Sequence, residues 1–180
     1  MSDIQRVPDY TPAPDLLAGR IVLITGAGAG IGAALARAAG AHGATVVLLG
    51  KTVSKLEQVY DAIKAAGGPE PAIYPMDLEG ATPQDHEDLA ATLQSEFGRL
   101  DGLVHNAATL GTLTPLHQYD VKTWSRVMQI NLNAPFLMTR ACLGLLREAE
   151  DASLVFTSAD VGRQGRAYWG AYAVAHAGSE

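Results

Sequence analysis

Cysteine is almost missing from this chain: Cys142 stands alone, so no internal disulfide can form and nothing calls for an oxidising compartment. The first residues carry neither a basic start nor a long apolar run, as a secretory leader would. Nowhere do the roughly 18 uninterrupted apolar residues needed to cross a bilayer occur. A cytoplasmic protein with no membrane partner is therefore expected. Basic residues are too few and too scattered for a nucleic-acid surface: 13 Lys and Arg stand against 19 Asp and Glu, for a formal net charge of −6 and a pI near 5.3. His42, His86, His105 and His117 have no cysteine or carboxylate partners at ligand spacing, so no metal site is expected. There is no internal repeat and no low-complexity tract. What remains is a chain of 180 residues, 48% hydrophobic and 18% charged, long enough to bury one core and too short for two ordinary domains.

Residues 1–18 hold Pro8, Pro12 and Pro14 among polar residues, which predicts an extended arm on the surface of a domain spanning 19–180. From Arg20 onward strand and helix patterns take turns. Strands are predicted at 21–25, 45–50, 72–76 and 102–105, with a buried one, SLVFTS, at 153–158. Helices are predicted at about 31–42, from Ser54 to the Gly67-Gly68-Pro69 breaker, at 83–97, over the long stretch Val121 to Arg147, and from near Trp169. This alternation implies right-handed βαβ crossovers and a parallel sheet covered on both faces, an α/β fold of three layers.

The most informative segment is GRIVLITGAGAGIG, Gly19 to Gly32. A β-branched and aliphatic run ends in Thr25 and in Gly26, Gly28, Gly30 and Gly32, which open a helical pattern. Side chains there would hold the backbone away from a pyrophosphate, and the helix that follows offers unpaired N–H groups and a positive dipole end. The chain is expected to bind a dinucleotide.

The spacing T-G-x-x-x-G-x-G over Thr25 to Gly32 resembles the turn of the short-chain dehydrogenase/reductase family, and later segments match that family in order. Asp77-Leu78 resembles the pair that meets the adenine ring, and His105-Asn106-Ala107-Ala108 resembles the family's Asn-Asn-Ala-Gly segment. Asn131, in INLNAPF, falls where the family has a helix asparagine that holds a water in the proton relay; Tyr172, in WGAYAVAH, falls at the catalytic tyrosine. The resemblance implies a Rossmann-type doubly wound sheet and hydride transfer between a nicotinamide cofactor and a small carbonyl or secondary alcohol. It also implies a homo-oligomer formed through the long helix. Cofactor contacts are expected from Gly26, Gly28, Gly30, Ile31, Gly32, Lys51, Thr52, Asp77, Leu78, Asn106, Ala107, Ala108 and Tyr172. Gly50-Lys51-Thr52 ends the second strand with no carboxylate to repel a 2′-phosphate, which favours NADP and leaves NAD possible. Ala29 occupies a place in the glycine turn where many NADP users of the family carry a second basic residue.

Two positions depart from the family. A phenol is a poor base at neutral pH, and a lysine one helical turn after the tyrosine normally stabilises the phenolate; lowering that pKa by about three units takes roughly 4 kcal/mol. Here that place holds His176, on the same helix face as Tyr172 but largely neutral at pH 7. The family's serine, a donor to the substrate oxygen, falls at Ala159, with Ser158 next door and facing the other way unless a bulge shifts the register. The candidate catalytic set is thus Tyr172, Asn131, Ser158 and His176.

Family members continue well past the tyrosine, whereas this chain stops at Glu180. The resemblance therefore implies a sheet truncated at its C-terminal side, with the strand at 153–158 as an edge. Two functional readings stay open: an oxidoreductase, or a catalytically impaired dinucleotide-binding protein with an associative or regulatory role.

Overall fold

The computed structural model describes residues 11–180. Five strands alternate with helices: β1 (Ile21–Thr25), α1 (Gly30–Ala41), β2 (Thr45–Gly50), α2 (Val53–Ala65), β3 (Ala72–Pro75), α3 (Pro83–Phe97) and β4 (Gly102–His105). Then follow α4 (Val121–Met128), α5 (Ala134–Arg147), β5 (Ser153–Phe156), α6 (Asp160–Arg163) and α7 (Gly170–Ser179). All strand pairs are parallel, in the order β3-β2-β1-β4-β5. The chain thus winds outward from β1 to β3 and crosses back to β4, so the order reverses between β1 and β4. In such sheets ligands enter the crevice beyond the carboxyl ends of the strands at that reversal.

Alternate side chains of the strands feed two cores. Leu23, Leu49 and Leu103 face Leu89, Leu93 and Met138 of α3 and α5. Ile24, Leu48 and Val104 face Ala33, Ala36, Leu56 and Ile63 of α1 and α2. This is the three-layer, doubly wound α/β arrangement that the alternating pattern predicts. Two of the helices start at side-chain caps. Thr82 and Asp85 form a reciprocal capping box before α3, and the Asp120 side chain accepts from the Thr123 N–H at the start of α4.

Four expectations need correction. The strand predicted at 153–158 ends at Phe156 and is not buried: every residue of β5 is exposed, β4 being its only strand neighbour among the described residues. The long helix is not uniform. Gln129–Asn133 form a π-helical turn between α4 and α5, in which the Ala134 N–H reaches the Gln129 carbonyl. Pro135 supplies the reason, since it has no N–H to give the carbonyl of Asn131 four residues back. A 3₁₀ turn, Leu116–Gln118, and the short α6 were not predicted. Of the arm expected over 1–18, residues 1–10 lie outside the described residues. Residues 14–19 coil into turns rather than extend, tied to α1 by the Leu17 N–H donating to the His42 carbonyl at 2.9 Å.

Candidate functional site

β1 ends against the start of the segment after β4, and one threonine joins them. The Thr25 hydroxyl accepts the backbone N–H groups of Asn106 and Ala107, both at 3.0 Å, and donates to the Val104 carbonyl at 3.3 Å. Asn106 returns a bond from its side-chain amide to the Thr25 carbonyl at 3.0 Å. Two glycines of the turn that follows leave little or no room for a side chain. A Cβ on Gly32 would stand 2.3 Å from the Gly26 carbonyl oxygen and 2.5 Å from the Asn106 amide nitrogen; one on Gly28 would press on Lys55. Gly26 and Gly30 have φ of +66° and +54°, the left-handed region open to glycine. Helix α1 thus begins tight against the sheet, and Ala29, its N-cap, makes no side-chain cap bond.

Beyond this turn opens a cleft of about 570 Å³. Of the residues predicted to hold a cofactor, Gly26, Ile31, Lys51, Asp77, Leu78, Asn106, Ala107 and Ala108 line it. Gly28, Gly30, Gly32, Thr52 and Tyr172 do not line it; the first four shape the turn and the start of α2, and Tyr172 lies on α7. Ile31, 68% exposed at the start of α1, offers an apolar surface to the same space. The glycines that a Cβ would block and the cleft beside them fit a dinucleotide held through its diphosphate. Sequence reasoning missed Glu79, Thr109, Arg126 and Ile130, which also line the cleft. Arg126 stands in no motif and Ile130 opens the INLNAPF segment singled out for Asn131; both reach the cleft because α4 folds back over the sheet.

The catalytic candidates lie farther along the same edge. Asn131 is buried in the π-helical turn, with both side-chain atoms engaged by Thr109: its oxygen accepts the Thr109 N–H at 2.9 Å and its amide donates to the Thr109 carbonyl at 3.0 Å. Tyr172 of α7 packs beside Trp169 and lies edge-on to His176, ring centroids 4.3 Å apart. The contact expected from their spacing is therefore made. His176 is buried with an unpartnered Nε2, and burial holds its pKa below the ordinary imidazole value against the opposing charge of Glu180. It meets Tyr172 mainly as a neutral ring. The Ser158 hydroxyl donates to the Glu180 carboxylate, whose other oxygen accepts from Arg163 Nε at 2.9 Å. Ala159 is the N-cap of α6. Just upstream of α7, Tyr168 is the one non-glycine among the described residues with positive φ, +75°.

A second histidine lies under the site. His105, at the end of β4, shares a 2.8 Å hydrogen bond between its Nε2 and the Thr139 hydroxyl and stacks on Phe156, centroids 4.7 Å apart. Burial, and secondarily the charge of His86, lowers its pKa to about 4. No three His, Cys, Asp or Glu among the described residues gather as a metal site would require.

Comparison with known proteins gives the arrangement a context. The family described as short chain dehydrogenase matches residues 20–180. The uncharacterized oxidoreductase YciK of Escherichia coli K12 is 44% identical over 171 residues, covering 95% of this chain and 68% of that protein. The structure of a short chain dehydrogenase from Pseudomonas syringae superposes with a TM-score of 0.93 at 54% identity, over 95% of this chain and 69% of that one. A short chain dehydrogenase from Escherichia coli CFT073, complexed with NADPH, superposes with a TM-score of 0.91 at 45% identity, over 93% of this chain and 70% of that one. The chain thus spans about two thirds of these proteins, and 52% of the short chain dehydrogenase mpl6 of Monascus purpureus.

Proposed function

Because the chain belongs to the short chain dehydrogenases, a family of NAD(P)-dependent oxidoreductases, we propose that it prefers NADP and acts on a small carbonyl or secondary alcohol, with Tyr172 passing the proton. One observation carries the cofactor preference: Lys51 lines the cleft at the end of β2, and residues 50–55 include no carboxylate to oppose a 2′-phosphate. The NADPH complex of the E. coli CFT073 relative supports the same choice. The alternative of a binding protein without turnover is not favoured by relatives described as oxidoreductases and dehydrogenases.

In this reading the glycine turn binds the diphosphate through main-chain N–H groups and the start of α1, and Lys51 and Thr52 meet the adenosine phosphate. Bound there, the nicotinamide exchanges hydride with the substrate carbon. Tyr172 stands to give its phenolic proton to the substrate oxygen, or to take one in the reverse direction. Asn131, locked to Thr109, holds the helix turn that faces α7, and its main-chain carbonyl, lacking an α-helical donor at Pro135, is the group suited to hold a relay water. His176 contributes packing against Tyr172 but little positive charge. With Ala159 in place of a donor, carbonyl reduction by these residues is slow. Among the described residues no helix is long and apolar enough to cross a membrane. Copies are proposed to associate through α5, which exposes Phe136 and Leu143.

Titration with NADPH and NADH, followed by intrinsic tryptophan fluorescence, tests the cofactor choice. Tighter binding of NADPH is expected, reduced toward that of NADH in Lys51→Ala. Equal affinities in the wild type would refute the preference. NADPH consumption with a panel of aldehydes and ketones, abolished in Tyr172→Phe, tests the activity.

A further inference from the structure

We propose that Arg126 lays its guanidinium against the purine base at the adenosine end of the cleft and so positions the base half of the cofactor, a role that rests on the dinucleotide reading above. With the diphosphate at the turn after β1, the adenosine ribose falls beside Lys51 at the end of β2, and the base must lie one strand farther, over the loop that follows β3. That loop gives Met76, Asp77, Leu78 and Glu79 to the cleft. Facing it are Arg126 and Ile130, four residues apart and so on one side of the helix that runs from α4 into the π turn.

The space between has apolar walls, Met76, Leu78 and Ile130, with exposed charged residues along it, Asp77, Glu79 and Arg126. Leu78 is buried and Ile130 half-buried, whereas Arg126 is exposed. Arg126 and Glu79 also line the shallow groove that continues along α4, which puts both at the outer boundary of the cleft. Yet among the described residues Arg126 forms no ion pair, with Glu79 or any other carboxylate. A guanidinium in that place is planar, weakly hydrated and attracted to the face of a heteroaromatic ring, and a lysine would bring the charge without the plane. This separates the role of Arg126 from that of Lys51, which recognises charge.

Dissociation constants of the wild type, Arg126→Ala and Arg126→Lys for NADPH, NADH and nicotinamide mononucleotide (reduced form) test the assignment, with melting temperatures to show that each variant is folded. Stacking on the base predicts that both substitutions weaken NADPH and NADH alike, by about fivefold to thirtyfold, and leave the mononucleotide unchanged. Wild-type affinity in Arg126→Lys would mean charge alone and would overturn the proposal, as would a loss confined to NADPH, which would place Arg126 on the 2′-phosphate. Unchanged affinities in both variants would overturn it as well. Failure of the wild type to bind either dinucleotide would remove the cofactor reading itself, a result distinct from all of these.

Discussion

The two sides of the sheet reversal are built differently. Between β1 and the start of α1 the backbone approaches itself so closely that Gly32 leaves no space for a methyl group, and every polar group of Thr25 is engaged. Around β5 and α7 the strand is exposed on all four residues, Tyr168 sits at positive φ, and a buried histidine nitrogen lacks a partner. The tight side needs only short-range contacts between segments already adjacent in the sheet. The open side needs packing from both faces, and β5 has a neighbour on one edge alone. The proposed cofactor end is thus closed by backbone against backbone, whereas the proposed catalytic end is bordered by an edge strand.

The contrast can be tested most strongly on the open side. Introducing the missing donor and cation with Ala159→Ser and His176→Lys should raise the carbonyl reduction rate by about 10²- to 10³-fold while NADPH affinity changes little. Steady-state kinetics with the most active aldehyde checks this, and an unchanged rate would show that Tyr172 is not where the reaction occurs. The next effect belongs to the seam between the two regions. His105 stays neutral in the fold down to about pH 4, whereas the unfolded chain takes up a proton near the ordinary imidazole value of 6.5. Stability should therefore fall as pH drops from about 6.5 to about 4, by on the order of 3 kcal/mol. Denaturant unfolding across that range should show the fall, reduced in His105→Asn.

On the tight side, Gly32→Ala forces a methyl group onto the Gly26 carbonyl and should cost about 2 kcal/mol of stability and most of the NADPH affinity. Thermal melts and a cofactor titration measure both, and retained affinity would mean that the turn is looser than its geometry. The smallest effect is expected at the far ends of the strands, where Arg20 reaches the Asp151 carboxylate at 3.4 Å just before β5. The pair is exposed, so Asp151→Ala should cost less than about 1 kcal/mol. A larger loss in chemical denaturation would show that β5 is held more firmly than its exposure implies.

The glycine turn was legible because its pattern is local: glycine at 26, 28, 30 and 32 follows an aliphatic run and precedes a helix. The steric demands behind the pattern come largely from elsewhere, from Asn106 and Ala107 on Gly26, from Lys55 on Gly28 and from Gly26 and Asn106 on Gly32, while Gly30 is called for by its φ of +54° alone. The contact between Tyr172 and His176 was legible for the same reason, since residues four apart on a helix meet. Arg126 was not, because nothing beside it marks it, and Ile130 went unread although it stands next to Asn131; only the return of α4 over the sheet brings the two to the cleft. The exposure of β5 was misread because an apolar run predicts a strand but not what lies on its faces. The π turn had a signal that went unread: Pro135 inside a helical stretch.

By itself the sequence determined the alternation of strands and helices, the glycine turn after β1 and the helix face shared by Tyr172 and His176. Each of these follows from residue spacing and backbone sterics within one or two elements. The tertiary structure alone decided which loops meet at the reversal between β1 and β4, that Asn131 spends its side chain on Thr109, that Ser158 turns to Glu180, and that His176 is buried beside Tyr172 with its pKa lowered. Desolvation and long-range pairing depend on which segments come together in space, and distance along the chain carries no record of that.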